Sequence, residues 1–124
     1  MKIKAFFLLA SLCTLFALTS VSNAAVIRSV TVETSNVESY AKEIAVASDI
    51  MKRAGSEGVI RVWVGRYAGE SAGSVVVTVE YPDMASLARD YETMRTNEEF
   101  GAWLKKLSGL RTIVSDSIYQ EVTK

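Results

Sequence analysis

Histidine is absent from this 124-residue sequence, and cysteine and proline each occur once. The cysteine, Cys13, lies inside an N-terminal apolar run, so the chain beyond it offers neither thiol nor imidazole. That excludes internal disulfides, zinc sites built from Cys or His, and a haem held by His. It also removes Ser–His and Cys–His nucleophilic pairs, leaving Ser115 and Ser117 with no such base to activate them. No cofactor and no metal is expected. An excess of one charge is lacking too. Setting aside Lys2 and Lys4, which belong to the leader described next, 12 basic residues face 14 acidic ones, a net charge of −2. Such a chain has no electrostatic footprint for nucleic acid, and none for an anionic membrane surface.

The N-terminus reads as a secretory signal peptide over residues 1–24. Lys2 and Lys4 make a basic start, 5–18 is an apolar run, and Ser22-Asn23-Ala24 is a small-residue cleavage site, placing the cut between Ala24 and Ala25. The run falls short of the ~20 apolar residues that a bilayer span requires. No stable membrane anchor is therefore expected after cleavage. Cys13 sits too early for a lipoprotein signal, and the preceding Leu12 is too large. The expected product is one exported domain, residues 25–124, periplasmic or secreted.

Along that domain, VIRSVTVE from Val26 alternates as a strand, with Arg28 sharing a face with Val30 and Val32. Ser35 and Glu38 have capping-box spacing, and Val37, Tyr40, Ala41, Ile44, Ala47, Ser48 and Met51 recur at helical spacing up to a stop at Gly55. The stretch 58–81, GVIRVWVGRYAGESAGSVVVTVEY, predicts a hairpin around the Gly-bearing loop 68–73. Pairing Tyr67 with Ser74 sets Trp63 opposite Thr78 and Arg61 opposite Glu80. Ile60, Val62 and Val64 then share the other face with Val77, Val79 and Tyr81. Pro82 ends this unit and Asp83 can cap a second helix. That helix carries Met84, Leu87, Ala88, Tyr91 and Met94, breaks at Thr96–Glu99, and continues through Phe100, Trp103, Leu104 and Leu107. A last strand runs from Arg111 to Val122, and neither of its faces is cleanly apolar.

The order strand–helix–strand–strand–helix–strand predicts an α+β fold, a ferredoxin-like βαββαβ arrangement. It has a four-stranded antiparallel sheet with two helices on one face and the other face open. The open hairpin face would carry Arg61, Trp63, Tyr67, Thr78 and Glu80, with Tyr119 a further candidate from the last strand. An exposed Trp and Tyr suit either a homodimer closed sheet to sheet or a pocket within it for a small, flat, amphipathic molecule. Arg61 and Glu80 read as a cross-strand ion pair first, and as an anion anchor with an acid or base second. Phe100, Trp103 and the methionines sit on helical stripes and read as core.

The element order, the polar-aromatic second strand and the ending SIYQEV resemble the dimeric α+β barrel superfamily. Within it, the chain looks most like NIPSNAP-type domains and the antibiotic-biosynthesis monooxygenase-like group. The resemblance implies a dimer joined through the sheets, in some members with a small-molecule site inside the barrel. Its haem-using members bind iron through a His, which this chain lacks. Its cofactor-free oxygenases rely on Trp, Asn, Arg and Tyr, and here Trp63, Arg61, Tyr67 and Tyr119 would supply part of that set. Two functions follow as expectations: a non-catalytic exported binding or accessory domain, or a cofactor-independent monooxygenase- or isomerase-like enzyme acting on a small aromatic or carbonyl compound.

Overall fold

The structure, a computed structural model, describes residues 24–66 and 69–123. The expected leader thus lies almost wholly outside the described residues, as does Tyr67. Strand β1 (Val26–Glu33) leads into helix α1 (Val37–Arg53), and β2 (Val59–Val64) pairs with β3 (Val75–Tyr81). Helices α2 (Met84–Arg95) and α3 (Glu98–Ser108) then lead to β4 (Thr112–Gln120). All strand pairs are antiparallel and the sheet order is β2-β3-β1-β4, the ferredoxin-like α+β topology.

Local chemistry sets the element ends. The α1 cap is Asn36, whose side chain accepts from the Ser39 amide at 3.0 Å, rather than the expected Ser35. Ser39 lies three residues beyond Asn36, the spacing at which an N-cap side chain meets a free first-turn amide. α1 closes with Gly55 at φ +82, its amide bonded to Lys52 O and the Ser56 amide to Met51 O. This paired closure uses the left-handed conformation that glycine adopts without steric cost. The second helix is two helices, because Asn97 caps a new one by accepting from the Phe100 amide at 2.9 Å, one residue past the expected Thr96. Asp83 caps α2 on the Ser86 amide, as its sequence position predicts.

The hairpin departs from its expected register by two residues. Arg61 stands opposite Thr78, and Trp63 opposite Val76, with the loop opening at Gly65 instead of Ala68. A shift of two preserves which side chains share a face, so alternation alone cannot distinguish these pairings. Val62 and Ile60 point to the helices with Val75 and Val77, whereas Arg61 and Trp63 lie on the open side. The core gathers Val32, Tyr40, Ile44, Ala47, Ile50, Val75, Val77, Trp103 and Leu107 between the sheet and α1 and α3.

Helix α3 rests on α1. Trp103 donates from Nε1 to Glu43 O at 2.9 Å, Lys106 meets the Glu43 carboxylate at 2.8 Å, and Arg53 grips Glu99 through two bonds of 2.7 and 2.8 Å. The helix layer is therefore drawn toward β2 and β3 and leaves β4 uncovered, with Ile113 and Ile118 51% and 52% exposed. The expected stripe of α2 is also corrected. Met84, Ala88 and Tyr91 are exposed, and the buried residues are Ser86, Asp90 and Met94. Two polar contacts turn the helix this way: Ser86 Oγ to Glu57 at 3.2 Å, and Tyr81 Oη to Asp90 at 2.5 Å.

Candidate functional site

The helix side holds a cleft of about 870 Å³, floored by the covered face of the sheet and walled by all three helices, and open toward β4. Its walls are largely apolar, with Val30, Met94, Phe100, Trp103, Leu104 and Ile118 among them. Volume and lining fall in the range of small-molecule sites, which run to about 300–1,000 Å³. At Gly101, in the α3 wall, an added Cβ would meet nothing within 4 Å.

Three polar arrangements line this apolar space. Arg28 projects from the covered face of β1, where its neighbours Val26 and Val32 are fully buried. Its Nε donates to Asp116 Oδ1 at 3.1 Å and its Nη2 to Asp116 Oδ2 at 2.7 Å, which fixes the guanidinium plane. These bonds hold the Asp116 carboxyl below the usual carboxylate range and raise Arg28 further, with desolvation opposing both shifts. Both side chains are more than a third exposed, so the pair contributes at most about 1 kcal/mol to folding. Tyr81 Oη donates to Asp90 Oδ2, and both residues are buried. Burial first, and then this bond, push the Tyr81 phenol well up, so it remains a protonated donor. Arg111 Nη1 donates to the hydroxyl of the fully buried Tyr40 at 3.0 Å. Arg111 has no carboxylate partner within ion-pair distance among the described residues, although its field helps lower Asp116.

The residues singled out from sequence lie on the opposite side of the sheet. Arg61 Nη1 meets Glu80 Oε2 at 3.0 Å, and Trp63 Nε1 donates to Thr78 Oγ1 at 2.8 Å. Both contacts run diagonally across β2 and β3, as the shifted register requires. The structure thus brings Arg61, Trp63, Thr78 and Glu80 into one patch, and Trp63 is 53% exposed. Tyr119 is on this same open face, beside Ile27, but at the far side of the sheet on β4. The four patch residues and Tyr119 take no part in the cleft.

Sequence reasoning missed Arg28, Asp116, Asp90 and Arg111. One signal was present: a charged residue among valines on the covered face of the first strand. Asp116 was hidden by a β-bulge between Thr31 and Val32, which breaks the alternation along β4 and obscures its orientation. Trp103 belongs to the core as expected, and it also forms part of the cleft wall.

No protein family matches the sequence by its profile, and no curated protein matches it either. Solved structures do match. A NIPSNAP family protein from Agrobacterium tumefaciens superposes with a TM-score of 0.59 at 13% identity, over 81% of this chain and 93% of that one. SnoaB from Streptomyces nogalater, a cofactor-independent oxygenase, gives 0.57 at 14% identity over 83% and 96%. A dimeric ferredoxin-like protein from an uncultured marine organism gives 0.52 at 20% identity over 82% and 98%. At these identities the likeness is one of fold, and the chain is a ferredoxin-like α+β domain similar in architecture to NIPSNAP proteins and SnoaB.

Proposed function

We propose that this chain is an exported, homodimeric binding domain that holds a small, largely apolar molecule in the helix-side cleft. The cleft carries the reading: about 870 Å³ of mainly apolar space with polar groups gathered within it. A surface with no ligand role would favour closing such a space, since covering apolar area is worth roughly 25 cal/mol/Å². Dimerisation through the open face is supported by the exposure of Ile27, Val59 and Trp63 there, and by a similar protein that is itself dimeric. Export is supported by the leader pattern in residues 1–24.

The enzymatic alternative has its own observation. Asp90 sits in the cleft wall beside a Tyr81 phenol kept protonated, which pairs a proton acceptor with a proton donor. SnoaB, with a similar fold, is an oxygenase without a cofactor. The two readings separate in one experiment. Native mass spectrometry of protein purified from its own cell envelope should show a dimer retaining a small molecule. Steady conversion of that molecule by the purified protein would favour the enzyme, and a dimer without any retained or bindable apolar compound would refute the cleft reading.

A further inference from the structure

We propose that the cleft selects an organic monoanion, with a flat apolar body against the α2 and α3 walls and a carboxylate or sulfonate head at Arg28 and Arg111. The inference rests on the cleft being the binding site and goes beyond it by naming the class of ligand. Its first observation is a charge balance. Asp116 neutralises Arg28 through a two-pronged contact, while Arg111, close enough to influence Asp116, has only the neutral hydroxyl of Tyr40 as its hydrogen-bond partner among the described residues. The cluster Arg28–Asp116–Arg111 thus carries one unit of positive charge. Arg95 pairs with Glu92 at 3.0 Å, whereas Asp90, bonded to the neutral Tyr81 phenol, keeps its negative charge beside β3, so the positive charge is local to the Arg28–Asp116–Arg111 end of the cleft.

The second observation is donor geometry. Asp116 occupies Nε and Nη2 of Arg28 and leaves Nη1 without a protein acceptor among the described residues. Arg111 spends a single bond from Nη1 on Tyr40. A guanidinium held in plane by one carboxylate presents its remaining N–H groups in a fixed direction, an arrangement suited to a second oxyanion. The third observation is the surroundings. Val30, Ile113 and Ile118 flank these groups in the cleft lining. These side chains give the apolar body of such a ligand a surface beside its charged head.

Two dyes of nearly the same shape test this. 8-Anilinonaphthalene-1-sulfonate carries the anionic head, and N-phenyl-1-naphthylamine has the same rings without it. Fluorescence titration of the full mature protein should show the sulfonate binding about tenfold tighter or more, the scale of one charge-assisted contact. Arg111→Met should bring the sulfonate down to the affinity of the neutral dye, while the neutral dye still binds. The double change Arg28→Met with Asp116→Leu, which removes donors but no net charge, should lower the sulfonate preference only in part. Arg111→Lys should restore part of the preference, which a merely structural loss would not allow. Equal affinity for both dyes in the wild type, or variants that weaken both alike, would overturn the inference. Gly101→Trp fills the cleft from a position where a side chain meets no obstacle, and should abolish both dyes. Retention of both dyes in that variant would instead overturn the underlying cleft reading.

Discussion

The two sides of the sheet use nearly the same chemistry and end with different shapes. Each has an arginine–carboxylate pair of similar exposure, Arg28–Asp116 under the helices and Arg61–Glu80 on the open face. Each also has a tryptophan with a satisfied indole N–H. Under the helices, Trp103 and Phe100 line the same cleft as Arg28, with ring centroids 5.2 Å apart. On the open face, Trp63 bonds to Thr78 beside Arg61 on one exposed surface. A concave apolar space suits a small molecule, whereas a broad face with aromatic and arginine residues suits another protein surface. The residue types alone do not distinguish these uses. The position of α3, pulled onto α1 by Trp103, Lys106 and Arg53, does.

Trp63→Glu should separate the two faces most strongly. If the open face closes a dimer, the change buries an unpaired charge and weakens association by on the order of 3–5 kcal/mol. Sedimentation should then show a monomer where the wild type is a dimer at micromolar concentration, with dye binding in the cleft retained. A smaller effect concerns Tyr81. Its folded phenol is raised above the ordinary tyrosine value, so the unfolded chain ionises first. The stability from this group is fully present below about pH 10 and is lost as pH rises further, at up to about 1.4 kcal/mol per pH unit. Urea melts across that range should show the slope, and Tyr81→Phe should flatten it.

Removing Asp116 sharpens the contrast between the two ion pairs. Asp116→Ala should cost about 1 kcal/mol in a urea melt, because the pair is half-exposed. It should also alter sulfonate binding, whereas Glu80→Ala should cost no more and leave that binding unchanged. The smallest effect has the opposite sign. Gly101 lies within α3 with free space at its Cβ position, so Gly101→Ala should stabilise the fold by about 0.5–1 kcal/mol in thermal melts.

Much of this fold was legible because its elements announce themselves locally. The alternation of VIRSVTVE gives β1 its observed bounds, and Asp83 and Gly55 mark real helix ends. The faces of the hairpin followed from period two, but its register did not, since a slide of two residues leaves that pattern unchanged. Tyr91 and Met84 look like core from their spacing, yet with Asp90 turned inward onto Tyr81 they stay exposed, Tyr91 at the edge of the cleft. The cleft was the least legible feature. It arises from where α2 and α3 lie over the sheet, and Arg28 and Asp116 are 88 residues apart. Only Arg28 among valines gave a local hint.

A ligand of this protein should enter between the helices and the sheet and avoid the open face. Methyl-resolved NMR during titration with 8-anilinonaphthalene-1-sulfonate tests it most directly, because neighbouring residues report from opposite sides. The methyl signals of Val30, Leu104, Ile113 and Ile118 should shift together and saturate, while those of Ile27 and Val59 stay in place. Saturable shifts confined to Ile27 and Val59 would place the site on the open face and contradict the account.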